Sequence, residues 1–207
     1  MIVNHLSLLV TTRCSRACPD CCFQIPTHAT LPAWSASWGY LEAAARIFRG
    51  VDWLYVAGGE PTLHPEFDRI AREFRALFDP ERLLLTTNGT KVIDHGDVMD
   101  RFDEIRVTDF GDDASRAAIA WLRAHHPDRL VVADATHVPM SRRPGAWPCD
   151  RNQIAAYALG KLWPCCEGPG LADAPFVVPG PDWRRELEHA ALPCRRCPFA
   201  LVTEHGR

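Results

Sequence analysis

Short apolar segments alternate with amphipathic segments from His5 to about Ala135, and this alternation constrains the fold more than any other feature of the chain. The apolar segments predict strands at His5–Val10, Trp53–Ala57, Leu83–Thr87, Glu104–Thr108 and Leu130–Ala133. Between them the periodicity predicts helices at Tyr40–Arg49, Glu66–Phe78, Asp94–Phe102 and Asp113–His125. Repeated strand–helix pairs form parallel sheets with right-handed crossovers. The sequence therefore predicts an α/β fold, a partial (β/α) TIM-like barrel.

Three cysteines follow the first expected strand with the spacing CxxxCxxC, at Cys14, Cys18 and Cys21. Three thiolates on one short loop can ligate three irons of a cubane cluster and leave the fourth iron open to a small molecule. A structural zinc site with Cys22 or a histidine as fourth ligand is the alternative. Zinc loops usually pair CxxC with a second pair of ligands, so the spacing favours the open cluster.

The nine cysteines fall into two groups, one near the start of the chain and one in its last third. The first expected strand lacks the basic flank of a signal peptide, so we expect a cytoplasmic protein. Thiols stay reduced there, and clustered cysteines more often bind metals than form disulfides. Two metal sites are therefore expected, on modules of residues 1–140 and 141–207.

Charge and hydropathy argue against two classes of partner. The formal net charge is −3 and the pI is near 6.3, which argues against a nucleic-acid partner. No apolar run approaches the roughly 20 residues needed to span a bilayer, so no membrane association is expected.

A second motif, Gly58-Gly59-Glu60-Pro61, follows the second expected strand. Adjacent glycines let backbone amides and carbonyls approach a ligand closely, and such groups can pair with an amino-acid ammonium and carboxylate. An ordinary strand-to-loop turn is the alternative. Thr86-Thr87-Asn88-Gly89 follows the third strand, and Asp109 and Asp134 follow the next two. Parallel strands end at one rim, where chemistry gathers, so these groups should lie together.

The CxxxCxxC and Gly-Gly-Glu-Pro motifs at this spacing resemble those of the radical S-adenosylmethionine (radical SAM) superfamily over roughly the first 135 residues. The resemblance implies a [4Fe-4S] cluster on Cys14, Cys18 and Cys21 whose open iron binds SAM. It also implies that SAM contacts lie at these rim loops, for which the candidates are Gly58, Gly59, Glu60, Pro61, Thr87, Asn88 and Asp109. Thr87, Asn88 and Asp109 are equally well explained as turn and capping residues.

The C-terminal module is expected to contain a β-hairpin, Gln153–Leu159 and Lys161–Pro164 around Gly160, and a short helix at Asp182–Ala191. A cysteine beyond a hairpin turn followed by a later CxxC resembles the auxiliary-cluster module called twitch, a shortened SPASM domain. The resemblance implies a second [4Fe-4S] cluster on Cys149, Cys165, Cys194 and Cys197, with Cys166 as an alternative to Cys165. Zinc on the same four thiolates is the alternative metal.

The resemblance implies a radical SAM oxidoreductase that forms a 5′-deoxyadenosyl radical and abstracts a substrate hydrogen. An auxiliary cluster would accept the electron left on the substrate radical. A flavodoxin- or ferredoxin-like protein would supply the electron that cleaves SAM. Two substrate classes are open: a small polar biosynthetic intermediate, and a ribosomally made peptide that is crosslinked or epimerised. A non-catalytic iron–sulfur electron carrier or zinc-stabilised protein is the rival of another class. His64 could contact substrate, but a solvated loop histidine is the preferred interpretation, and the same holds for His28, His95 and His137.

Overall fold

The computed structural model describes residues 5–18, 21, 23, 25, 33–134, 154–163, 178–180, 182 and 185. The strands are β1 (His5–Thr11), β2 (Trp53–Gly58), β3 (Arg82–Thr87), β4 (Glu104–Asp109), β5 (Leu130–Asp134), β6 (Ile154–Ala158) and β7 (Lys161–Trp163). The α-helices are α1 (Trp38–Phe48), α2 (Phe67–Phe78) and α3 (Asp113–His125), and short 3-10 helices span Pro61–Leu63, Ile93–Arg101 and Pro127–Arg129.

The seven strands form one sheet in the order β5-β4-β3-β2-β1-β6-β7. Every neighbouring pair is parallel except β6 and β7, which are antiparallel. The first five expected strands are confirmed to within one residue at each end. The prediction of a mostly parallel α/β sheet is therefore confirmed, in an arrangement consistent with a partial barrel.

One predicted helix has a different form from the one expected. The segment Asp94–Phe102 is a 3-10 helix, Ile93–Arg101, with non-helical dihedral angles at His95 (φ −108°, ψ 22°). The imidazole of His95 is held by two other elements, with Nδ1 2.6 Å from an Asp68 carboxylate oxygen and Nε2 3.1 Å from the Thr62 carbonyl oxygen. These tertiary bonds outweigh the weak helical preference of a segment rich in aspartate and glycine.

The hydrophobic core lies between the helices and one face of the sheet. Alternate strand residues such as Leu54, Leu83 and Ile105 point into this core and have no exposed surface. From α2, Phe67, Ile70, Phe74 and Phe78 pack against them, as its apolar stripe predicts. The opposite face of the sheet is not covered by these helices and carries polar and aromatic side chains.

The expected hairpin forms, and it joins the main sheet. Leu159 and Gly160 have positive φ angles of 50° and 77°, as a two-residue type I′ turn between β6 and β7 requires. Strand β6 pairs in parallel with β1, so the hairpin extends the sheet of the first module. As a result β1 is flanked by β2 and β6, and the cysteine loop leaves the middle of the sheet. The helix expected at Asp182–Ala191 lies mostly outside the described residues.

Candidate functional site

The loops that follow β1, β2 and β3 meet at one rim of the sheet. The amide of Gly59 donates to the Thr11 carbonyl oxygen at 2.8 Å, and the amide of Glu60 donates to that of Arg13 at 2.7 Å. Ser15 and Thr90 hydroxyl oxygens lie 2.7 Å apart and join the first loop to the third. The expectation that these motifs share a rim is therefore confirmed for the loops after the first three strands.

The two glycines are required by the chain segment that leads to Cys14. A Cβ atom at Gly58, whose φ is +135°, would lie closer than 3.0 Å to the Thr11 carbonyl oxygen, and one at Gly59 would lie that close to the Arg13 carbonyl oxygen. The amides of Gly59 and Glu60 are already bonded to that segment. The glycines thus let two loops approach each other. The sequence predicts amides in this loop that are available to a ligand, but the amides of Gly59 and Glu60 are bonded within the protein.

The Glu60 side chain is fully buried at the centre of the rim and accepts four hydrogen bonds. One carboxylate oxygen accepts from the Thr62 amide (3.1 Å), the Thr62 hydroxyl (2.6 Å) and the Thr87 hydroxyl (2.7 Å). The other accepts from the Asn88 amide at 2.6 Å. Burial raises the pKa of the Glu60 carboxyl, and the hydrogen bonds act in the opposite direction. Glu60 therefore fixes the loop after β3 relative to the loop after β2.

Asn88 connects this network to the cysteine loop. Its Oδ1 accepts from the Thr90 amide at 3.0 Å, which orients Nδ2 towards the Ser15 hydroxyl (3.3 Å) and the Cys14 sulfur (3.7 Å). The amide of Arg16 is a second donor to the Cys14 sulfur, at 3.4 Å. Both donors favour a thiolate, whereas burial raises the pKa of the Cys14 thiol.

The donor set of the cysteine loop fits the implied cluster. Cys14, Cys18 and Cys21 are partly buried and form no disulfide, and the Cys21 amide donates to the Cys18 carbonyl oxygen at 3.3 Å. Three thiols on one loop, with two N–H donors directed at the Cys14 sulfur, are an environment that suits an iron–sulfur cluster. Within the described part of the chain, no three Cys, His, Asp or Glu side chains are arranged to hold a single metal ion. The cluster ligands stay a prediction.

Sequence reasoning missed an anchor of the cysteine loop, the ion pair between Arg16 and Asp112. The Arg16 guanidinium also lies over the ring of Phe110, 4.0 Å from its centroid. Asp112 is the N-cap of α3, and the Ser115 amide together with Arg16 lowers the pKa of its carboxyl to about 2. A Ser or Asp before an amphipathic helix signals a cap, but nothing local in the sequence indicates the partner Arg16.

Two further expected SAM contacts, Thr87 and Asp109, and one histidine are also engaged within the protein. Thr87 is buried and its hydroxyl donates to Glu60, while the Asp109 carboxylate accepts from the Gly111 amide at 2.8 Å. The expectation that His64 is solvated is wrong, since it is 4% exposed. Its Nδ1 accepts from the Glu66 amide at 3.0 Å, which leaves Nε2–H to donate to the Ala36 carbonyl oxygen at 2.9 Å. Burial lowers the pKa of His64.

His95 was also expected to be solvated, and that expectation is wrong. Its ring is only 22% exposed and bridges Asp68 and Thr62.

The face of the sheet away from the helices carries polar and aromatic groups below the rim. Glu104 is 14% exposed and pairs with Arg106 at 2.7 Å and with Arg82 at 3.5 Å. Arg82 lies 4.8 Å from the ring centroid of Trp53. Since Arg106 is in register with Thr86, it lies one two-residue step below Asn88. Arg106 is therefore the charged member of this group nearest the rim.

Several predicted site residues lie outside the described residues. They are Cys22, the fourth ligand of the alternative zinc site, and the auxiliary-site candidates Cys149, Cys165, Cys166, Cys194 and Cys197. His28 and His137 also lie outside the described residues.

Comparison with known proteins identifies the family. Two crystal structures have the same fold: BtrN in complex with AdoMet and 2-DOIA (TM-score 0.68, 15% identity, 84% of this chain and 77% of that chain), and selenomethionine BtrN in an open conformation (TM-score 0.57, 17% identity, 84% and 74%). No curated protein matches the sequence. No described helix is both long enough and apolar enough to cross a bilayer. The model of the Radical SAM superfamily matches residues 8–111, half of the chain. The chain belongs to the radical SAM superfamily.

Proposed function

We propose that this enzyme uses Cys14, Cys18 and Cys21 to hold a [4Fe-4S] cluster and oxidises a small polar substrate. Membership of the family implies the cluster and SAM. When bound, the cluster supplies the electron that cleaves SAM to methionine and a 5′-deoxyadenosyl radical, which takes a hydrogen atom from the substrate.

The observation that carries the proposal is the hydrogen-bonded assembly around Cys14. The Gly58–Glu60 loop is bonded to the segment just before Cys14, and Asn88 reaches the Cys14 sulfur from the next loop. A cluster on this loop would lie where three strands end. In barrels of this type the ends of the strands are where the reacting groups collect.

The polar groups on the face of the sheet away from the helices support a small polar substrate over an apolar one. Glu104 and Arg106 carry opposite charges, and Thr86 and Thr108 are partly exposed on the same face. Hydroxyl and amine groups of a ligand would find both donors and acceptors there. The fold shared with BtrN, whose structure contains AdoMet and 2-DOIA, is consistent with this class of substrate. A peptide substrate is the competing class.

The proposal includes a second cluster on Cys149, Cys165, Cys194 and Cys197, which would accept the electron left on the substrate radical. This part depends on the spacing of the cysteines in the sequence. Zinc at these thiolates would remove the electron acceptor and leave hydrogen abstraction intact.

The experiment is anaerobic reconstitution of the full chain with iron and sulfide, followed by metal analysis and an assay of 5′-deoxyadenosine formed with SAM and dithionite. We expect about eight irons per chain, and about four after Cys14, Cys18 and Cys21 are replaced by alanine. Cys22→Ala is the matched control, with the same chemical change next to the predicted ligands, and should keep the iron and the product.

Three results would change the proposal. Iron without SAM cleavage would support the electron carrier instead. The C-terminal site would be structural if the wild type bound about four irons, the triple variant bound none and both retained zinc. Turnover of a peptide but of no small polar compound would replace the substrate class.

A further inference from the structure

Asn88 is held in one orientation with an N–H group directed at the Cys14 sulfur. The backbone amide of Asn88 donates to the buried Glu60 carboxylate at 2.6 Å, and this bond fixes the backbone at that residue. Its Oδ1 accepts from the Thr90 amide at 3.0 Å, and a backbone amide can only donate, so the side-chain amide cannot be reversed. Nδ2 is therefore the atom that lies 3.7 Å from the sulfur, and the residue is 7% exposed.

We propose that Asn88 is a positioning residue that raises the reduction potential of the cluster held by Cys14, through a hydrogen bond from Nδ2 to the thiolate sulfur. The inference rests on the proposed function for the cluster itself. Reduction adds one electron, and part of the added negative charge resides on the sulfur ligands. A donor to sulfur stabilises the reduced form more than the oxidised form, and hydrogen bonds of this kind tune the potential.

The geometry favours this role for Asn88 over a contact to SAM. Its two side-chain atoms and its backbone amide all have partners within the protein: Thr90, Ser15, Cys14 and Glu60. The second donor to the same sulfur is the backbone amide of Arg16, which side-chain replacement at position 88 leaves in place. The contribution of Asn88 can therefore be measured separately.

The experiment is a redox titration of the full-length, reconstituted protein monitored by EPR. The signal that changes when SAM is added identifies the cluster with the open iron, so a second cluster does not confuse the result. Asn88→Ala removes the donor, and Asn88→Asp keeps the shape and the acceptor for Thr90 but replaces the donor with a carboxylate. Ser15→Ala is the matched control, because it removes the other acceptor of Nδ2 and leaves the contact with Cys14.

We expect all three variants to bind the wild-type amount of iron. Asn88→Ala should make reduction three- to tenfold less favourable, where tenfold is about 59 mV for a one-electron couple. Asn88→Asp should shift the midpoint further in the same direction, and Ser15→Ala should not lower it.

An unchanged midpoint in Asn88→Ala would overturn the inference. If the alanine variant fails to bind iron, the aspartate variant decides: a midpoint no lower than that of the wild type overturns it. Failure of both to bind iron while Ser15→Ala does so would make Asn88 purely structural. Absence of iron in the wild type would instead reject the proposed function.

Discussion

Replacement of Glu60 by glutamine tests whether the buried carboxylate holds the rim together. Each of its two oxygens accepts from one backbone amide, that of Thr62 on one side and that of Asn88 on the other. In Glu60→Gln, one position becomes an NH2 group. Whichever way the amide is turned, this donor faces a backbone N–H that cannot accept.

The expected cost follows from that geometry. The backbone N–H opposite the new NH2 group loses its acceptor, and a buried donor in that state costs about 1–3 kcal/mol. For a chain of this size that corresponds to a fall of roughly 2–12 °C in the melting temperature. The matched control is Thr62→Val, which removes one hydroxyl donor to Glu60 and leaves both backbone amides paired. Its expected cost is smaller, about 0.5–1.5 kcal/mol.

The assay is thermal and urea unfolding of wild type and both variants under reducing, anaerobic conditions, followed by circular dichroism. The reasoning would be refuted if Glu60→Gln were within about 0.5 kcal/mol of the wild type, or if Thr62→Val were the more damaging change. The first result would mean that a polar group of the same shape can replace the carboxylate, and the second that the Thr62 hydroxyl contributes more than the pairing of the two backbone amides.

Three further predictions concern a close approach, a buried imidazole and a turn. Gly59→Ala should destabilise the protein by more than about 3 kcal/mol and abolish iron binding, because its Cβ would overlap a carbonyl oxygen. The control Gly39→Ala, where a Cβ would have nothing within 4 Å, should cost nothing. Equal stability of the two variants would contradict this prediction. His64 has a lowered pKa, so its contribution to stability is present above about pH 6.5 and is lost as the pH falls through that value towards the folded pKa. Urea unfolding from pH 5 to 8 should show a weaker pH dependence in His64→Gln than in the wild type, and equal slopes in the two proteins would argue against the buried neutral ring. Leu159→Asn should raise the free energy of unfolding in urea by about 1 kcal/mol, since asparagine tolerates the positive φ of 50°, and Leu159→Ala should not; an equal gain from alanine would point to hydrophobic exposure instead.

The strands and helices were predictable because their signals are local. Apolar runs and the stripe of Phe67, Ile70, Phe74 and Phe78 predict elements whose ends differ from the observed ones by one or two residues. The segment at Asp94 was predicted as an α-helix because the tertiary bonds of His95 have no sequence signal.

The position of the candidate site was predictable, and its internal bonding was not. Parallel strands fix which loops share a rim, and that rule brought the Gly58–Glu60 loop and Asn88 to Cys14. The pairing of Arg16 with Asp112, and the burial of His64, depend on side chains far apart in the chain. Patterns within one segment carry no information about such partners.

The structure separates two meanings of a binding motif. Gly58, Gly59 and Glu60 suggest a ligand site by their composition. Yet the amides of Gly59 and Glu60 donate to Thr11 and Arg13, and the Glu60 carboxylate accepts from Thr62 and from the loop after β3. The motif thus builds the rim before any cofactor binds, and preorganisation of this kind lowers the cost of binding one. It follows that loss of iron or of SAM cleavage in a Glu60 variant is no evidence of contact with SAM. Only a variant that loses affinity for SAM while keeping its unfolding free energy would establish such a contact.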